Sequence, residues 1–320
     1  MMMMKTRVFS RPFSLVPSLK YPPRGVVRAS RDHVRADNLK SHSPSGCSCG
    51  RKHFLEAASP TKPLLPLYSP NASRSKDVLG TFQHQRPDWY KELFAWFLST
   101  GMRSYEAEIA GYKRKLFDNL TAKAERVLEI GVGTGPNLKY YASNENVCVF
   151  GMDPNQKMEK YACEAAREAG LKPENFRFMQ GVGEAIPLDD NSVDAVISTL
   201  VLCSVPDVKQ TLQEIKRVLK PGGIFLFIEH VAAEDGTFFR HVQNVLDPLP
   251  LPRFYRGTTV AMRQIFTSVQ QVVADGCHLT RNTGLYIAGA GFSGGAEINT
   301  AAMYSFPWII RPHVYGVAYK

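Results

Sequence analysis

The 320-residue chain has no run of eighteen or more uncharged apolar residues. A transmembrane helix is therefore not expected, and any membrane contact would be peripheral. Acids are scarce at one end: residues 1–60 hold eleven Lys/Arg against Asp32, Asp37 and Glu56 alone. Since the whole chain carries +10, the remainder is close to neutral, at +2. Such a balance leaves no basic face for nucleic acid on the folded part, and no nucleic-acid partner is expected. Cysteine is also sparse. Only Cys47 and Cys49 of the six stand close together, with His53 nearby and no second ligand pair at usable spacing, so no metal site is expected. The other four, Cys148, Cys163, Cys203 and Cys277, read as scattered reduced thiols rather than a disulfide framework. No solenoid-type repeat is visible.

What is present at the N-terminus is a mixture of Arg, Ser, Pro and Val, with serines at 10, 14, 18, 30, 41, 43, 45 and 48 and no signal-peptide hydrophobic core. That composition suits an organelle transit peptide, in a chloroplast or alternatively a mitochondrion. Pro60, Pro63, Pro66 and Pro70 mark a linker, so residues 1–75 are assigned to transit peptide and linker. Residues 76–122 are expected to form an N-terminal helical cap. Within it, 88–120 carry apolar and aromatic side chains at helical spacing, broken near Gly101, which predicts two helices. The first, with Trp89, Tyr90, Leu93, Phe94, Trp96 and Phe97, would either pack into the core or greet an apolar substrate or a membrane surface.

From residue 123 to the C-terminus the pattern changes. Apolar runs at 127–131, 147–153, 176–181, 193–199 and 223–231 read as buried strands. Between them, Met158, Tyr161, Ala162, Ala165 and Ala169 share one helical face, and Val208, Leu212, Ile215, Val218 and Leu219 share another. Asp207 with Gln210 predicts a capping box, and Pro221-Gly222-Gly223 a helix stop. The alternating residues 313–319 suit an antiparallel final strand. The expected fold is α/β, a Rossmann-like, mostly parallel sheet with helices on both faces, whose ligands lie at the carboxyl ends of the strands.

The strongest local signal is Leu-Glu-Ile-Gly-Val-Gly-Thr-Gly at 128–135, an apolar strand ending in Gly131, Gly133 and Gly135. Pro136 stands where a dinucleotide fingerprint wants its third glycine, which disfavours pyrophosphate docking and suits a methionine-nucleoside better. Glu129, inside that strand, is placed to receive the ammonium of an aminoacyl tail. Asp153 ends the second strand, 22 residues beyond Gly131, where an acid can accept two ribose hydroxyls.

The segments at 183–198 and 214–223 resemble the third and fourth blocks of class I S-adenosylmethionine-dependent methyltransferases. Five further blocks, Thr199–Val205, Glu229–Gly236, Val245–Pro248, Asp275–Arg281 and Arg311–Gly316, resemble the methyltransferase-like thiol S-methyltransferases of animals and their plant relatives. The resemblance implies a seven-stranded sheet and S-adenosyl-L-methionine as cofactor. It implies that Gly131, Gly133, Thr134, Gly135 and Asn137 cradle the cofactor, that Asp153 and Pro154 meet its ribose, that Gly183 and Glu184 lie beside adenine, and that Thr199 and Leu200 line the floor. Val182 stands where that family commonly has Asp, so backbone there would have to serve the adenine amino group. Residues 249–274 exceed what the resemblance leads one to expect, and are read as an insertion that is either a substrate lid or a splicing or gene-prediction product.

The partner implied is a small apolar acceptor, a thiol ahead of a prenylquinone or phenol, with a non-catalytic nucleoside-binding protein as the reading from another class. Direct methyl transfer needs alignment and a water-poor pocket rather than a metal. Candidate bases are His230, Asp247, Asp275, His278 and His313, none preferred, while Cys203 reads as a small core residue.

Overall fold

The computed structural model describes residues 75, 77–79, 87–120, 124–144, 146–247, 275–305 and 310–320. The segment up to residue 74 that was expected to be transit peptide and linker, with Cys47, Cys49 and His53, and residues 249–274, expected to be an insertion, lie outside the described residues.

Seven strands form one sheet: β1 (Arg126–Ile130), β2 (Cys148–Asp153), β3 (Phe176–Gln180), β4 (Val193–Thr199), β5 (Leu219–His230), β6 (Ala296–Ala302) and β7 (Pro312–Tyr319). Their order is β3-β2-β1-β4-β5-β7-β6. β1 to β5 pair in parallel, and β7 runs antiparallel to both β5 and β6. Strand order reverses between β1 and β4, so the crevice at their carboxyl ends is the expected ligand position of an open α/β sheet.

Alternating residues of the strands feed two cores, one on each face. Leu128, Ile130, Phe150, Met152, Val196 and Phe227 pack against Val208, Leu212 and Ile215 of α4 (Val208–Val218) and Ile287 of α6 (Thr283–Gly289). Val127, Val149, Ala195, Ile197 and Ile228 pack on the other face against Tyr105, Ile109 and Leu116 of α2 (Arg103–Phe117) and Ala162 and Ala166 of α3 (Glu159–Glu168). A further short helix, α5 (Phe238–Leu246), follows β5.

The predicted pair of N-terminal helices is found as α1 (Asp88–Gly101) and α2, with the break at Met102. Core packing does not account for α1, because only Tyr90 and Ala95 are buried while Trp89, Leu93, Trp96 and Phe97 are exposed. None of the described helices is long and apolar enough to cross a membrane.

Three expectations are corrected. The helix at 208 ends at Val218, not at the Pro-Gly-Gly; Leu219 is already extended and β5 runs through the punctuation. This works because the β4–β5 register shifts between Val193 and Ala195, and Lys320 hydrogen-bonds the backbone of Gly222 and Gly223. The capping box is only half made by Asp207 and Gln210: Asp207 accepts from the Gln210 N–H at 3.0 Å, but the Asp207 N–H goes to Glu184 rather than to Gln210. Finally, Cys148, a half-buried residue opening β2, is disulfide-bonded rather than reduced.

Candidate active site

β1 ends in a turn that only a glycine-rich sequence follows easily. Gly131 has φ +64°, and a Cβ there would stand 2.3 Å from Val201 Cγ2. Gly135 is crowded by Leu138 and Ala165. Gly133 differs: its φ is +51°, yet a Cβ would meet nothing closer than the Gly131 carbonyl at 3.9 Å. Its missing side chain faces open space, as a residue does where backbone must lie against a ligand.

Asp153, at the end of the neighbouring β2, aims at this turn. Its Oδ2 accepts the Gly133 N–H at 3.1 Å and its Oδ1 the Asn155 N–H at 2.8 Å. Burial outweighs those bonds and pushes the carboxyl up to about 7. Glu129 sits beneath the turn, fully enclosed, accepting from Asn137 Nδ2 at 2.9 Å and from the Tyr141 hydroxyl at 2.7 Å. Its carboxyl is likewise pushed up to about 7 by burial, against those hydrogen bonds and the buried Lys113 nearby. Asn137 Nδ2 also reaches Thr199 Oγ1 at 3.2 Å, bridging the reversal point between β1 and β4, while its Oδ1 is buried with no partner.

Leu200 follows Thr199 at φ +58°, a backbone strain at the floor of the crevice. The next residues are fixed by Glu229 of β5, which accepts the Ser198 hydroxyl at 2.7 Å and the N–H groups of Val201 and Leu202 at 3.0 Å each. Burial raises Glu229 to about 8.

Pro154 continues from Asp153, its carbonyl accepting from Gln180 Nε2 at 3.1 Å. The segment after β3 is held firmly. Glu184 turns its carboxylate onto the Asp207 N–H, and Arg217 donates to the carbonyls of Ile186 and Leu188. Gly183 lies against Thr211, leaving no room for a side chain. Val182 packs with Leu79 and Ala185, so an apolar cluster occupies the position where the resemblance called for an acid.

On the other side of the crevice the loop 275–281 crosses the ends of β4 and β5. His278 N–H donates to the Cys203 carbonyl, and Arg281 Nη1 to the carbonyls of Leu202, Cys203 and Val205 at 2.8, 2.9 and 2.6 Å. Asp247 and His278 are brought together, Oδ1 to Nδ1 3.4 Å, while the Asp247 Oδ2 accepts from Thr280 N–H and hydroxyl. Burial would raise Asp247, but the bonds from His278 and Thr280 outweigh it and hold the carboxyl below its usual value. Asp275, at φ +49°, begins the loop, and its charge bears on Asp153. His313 is committed elsewhere: Nδ1 faces the Arg311 carbonyl, Nε2 faces Tyr105, and burial lowers it to about 4. His230 is buried at the end of β5 against Cys277.

Residues 128–227 match a family described as a methyltransferase domain. The chain is 38% identical over 237 residues to human "Thiol S-methyltransferase TMT1A", covering 72% of this chain and 87% of that protein. It is 35% identical to rat "Thiol S-methyltransferase TMT1B", covering 76% and 91%. The chain belongs to the class I S-adenosylmethionine-dependent methyltransferases. A solved structure, a putative sarcosine dimethylglycine methyltransferase from Galdieria sulphuraria, is 18% identical, covers 66% of this chain and 86% of its own, and has a TM-score of 0.48.

Several residues that organise this methyltransferase were not singled out from the sequence. Glu229 carried the same signal as Glu129, a charge inside an apolar strand. Tyr141 carried none, and Ser198, Arg217 and Arg281 stood in family-like blocks with no sign of their partners, which only the fold brings to them.

Proposed function

We propose that the protein transfers the methyl group of S-adenosylmethionine to the sulfur of a small apolar thiol at the carboxyl edge of β1, β4 and β5. The observation that carries this is the 38% identity, over 87% of its length, to a protein named a thiol S-methyltransferase.

The residues present fit the cofactor. The open face of Gly133, the carboxylate of Asp153 beside it and the unpartnered Oδ1 of Asn137 are together a cradle with polar groups still to satisfy. When bound, S-adenosylmethionine supplies an electrophilic methyl group on a sulfonium. Asp153 accepts ribose hydroxyls, with Pro154 next to it. Glu129, through the turn of Gly131, Thr134 and Gly135 and through Asn137, places negative charge under an aminoacyl ammonium. Thr199 and Leu200 form the floor. Backbone at Val182 and Gly183, beside Glu184, meets adenine.

On the acceptor side, His278, oriented by Asp247, is the group placed to take the thiol proton. A thiolate meeting a sulfonium annihilates charge, so a water-poor surrounding lowers the barrier relative to separated ions. The loops 200–205 and 275–281, fixed by Glu229 and Arg281, supply that enclosure.

The test is an acceptor screen. Purified full-length protein is incubated with methyl-labelled cofactor and a panel of alkyl thiols, prenylquinols and phenols. Label is expected in thioethers. Label on carbon or oxygen alone overturns the thiol assignment, and binding of S-adenosylhomocysteine with no turnover on any acceptor overturns catalysis.

A further inference from the structure

Three side chains that the methyl-transfer reading does not use converge behind the acceptor side. Cys203 follows β4, His230 closes β5 and Cys277 lies in the loop 275–281, so no two come from one segment. All three are buried, and their ligand atoms lie within 4.8 Å of one another. His230 Nε2 stands 2.6 Å from Cys277 Sγ. Its other nitrogen, Nδ1, is buried without a hydrogen-bond partner, although the ring is only 2% exposed.

The neighbours do not explain the cluster. Cys203 is hydrogen-bonded within the cluster to Cys277 and His230, and beyond it Sγ is 3.5 Å from Ser204 Oγ and 3.6 Å from the Leu200 carbonyl, both weak partners for a thiol. His313, the cross-strand partner of His230, has its ring nitrogens committed to Arg311 and Tyr105. Glu229 is taken up by Ser198, Val201 and Leu202.

We propose that Cys203, His230 and Cys277 form a binding site for a zinc ion. Two thiolates and an imidazole select a borderline-soft ion over magnesium or calcium, which want oxygen ligands. A tetrahedral zinc ion sets a nitrogen and a sulfur ligand roughly 3.5 Å apart. Occupation therefore widens the His230–Cys277 contact by about 1 Å, a movement of a loop residue that follows Gly276. With three ligands among the described residues, the fourth position belongs to water or a small thiolate. The ion ties the loop after β4, the end of β5 and the loop 275–281 into one unit, whichever acceptor the enzyme takes.

The measurement is metal content. Full-length protein, free of affinity-tag histidines and never exposed to chelator, is expected to hold about one zinc per chain by plasma mass spectrometry. Replacement by cobalt is expected to produce a sulfur-to-cobalt charge-transfer band in the near ultraviolet. Cys203→Ser and Cys277→Ser should each lose most of the metal and the band, and Cys163→Ser, distant from the cluster, should keep both. Zinc-free protein that gives no cobalt band yet still binds S-adenosylhomocysteine by calorimetry overturns the proposal. So does zinc undiminished in Cys277→Ser, or a Cys203–Cys277 disulfide in the freshly purified chain. None of these readouts depends on methyl transfer to a thiol.

Discussion

The backbone N–H of Gly133 donates to Oδ2 of Asp153 across 3.1 Å, joining the turn after β1 to the end of β2. The bond fixes both where the turn stands and which way the carboxylate points. It leaves Asp153 with one backbone donor on each oxygen and a lone pair on each still to offer.

The first prediction concerns that carboxylate. Because burial raises Asp153 to about 7, the protein without ligand holds a proton there in mildly acidic solution. Two ribose hydroxyls need the ionised form, so binding S-adenosylhomocysteine expels that proton. The dissociation constant should rise as pH falls below about 7, by at most tenfold per unit, and level off above it. Asp153→Asn should bind roughly a hundredfold more weakly, on the scale of hydrogen bonds to a charged group, and show a flatter pH profile. Calorimetry from pH 5.5 to 8.5 reads both; an unchanged affinity in Asp153→Asn would mean the ribose lies elsewhere.

A second prediction separates two glycines of one turn. In Gly131→Ala the new methyl runs into Val201 at 2.3 Å in a left-handed backbone, so the fold should lose about 2–4 kcal/mol. In Gly133→Ala only the backbone strain applies, about 1–2 kcal/mol, because the methyl enters open space. That space is the proposed cofactor cradle. Gly133→Ala should therefore melt within several degrees of the parent yet lose cofactor binding, whereas Gly131→Ala loses stability first. Thermal melting with and without S-adenosylhomocysteine distinguishes them.

A third prediction rests on Glu229. With its carboxyl raised from 4.5 to about 8, the folded state keeps a proton that the unfolded chain has released. More protons on the folded form mean that stability falls as pH rises through that window, by at most about 1.4 kcal/mol per unit. One oxygen accepts from the Ser198 hydroxyl and the other from the Val201 and Leu202 N–H groups, and a glutamine with its amide oxygen turned to those two keeps both backbone bonds. Glu229→Gln should hold its stability near pH 6 and lose less than the parent by pH 9. Glu229→Ala strands two buried N–H groups and should cost about 2–6 kcal/mol. Urea midpoints at the two pH values check all three proteins.

The legible part of the molecule was the part written in neighbouring residues. Strand runs, the glycine turn and Asp153 follow from local patterns of apolarity, backbone freedom and spacing, and the sheet order that brings Asp153 to Gly133 follows from the β/α alternation. The helix stop at Pro221 was misread because a tertiary partner, the C-terminal Lys320, lets the strand run through it. The capping role of Glu184 was hidden for the same reason, its partner Asp207 lying 23 positions away. Nothing in the sequence tied Cys203, His230 and Cys277 to one another until β4, β5 and a distant loop placed their ligand atoms within 4.8 Å.

The last prediction comes from a residue that the sequence marked only as the end of a family-like block. Arg281 gives one terminal nitrogen to three carbonyls of the loop that follows Thr199 and Leu200. Two N–H bonds shared by three acceptors hold a short curved loop far better than water would, because an unpaired carbonyl inside the protein costs about 1–3 kcal/mol. Arg281→Ala should lower stability by roughly 2–4 kcal/mol. The loop it releases lies on the acceptor side, while Gly133 and Asp153 stand on the other side of β1 from β4. Cofactor affinity should then stay within about threefold of the parent while turnover falls at least tenfold, the pattern of lost alignment rather than lost cofactor. Arg281→Lys, which keeps the charge and three donors on a flexible stem, should recover part of both. A variant whose cofactor affinity fell as steeply as its turnover would show instead that this loop supports the nucleoside side of the crevice.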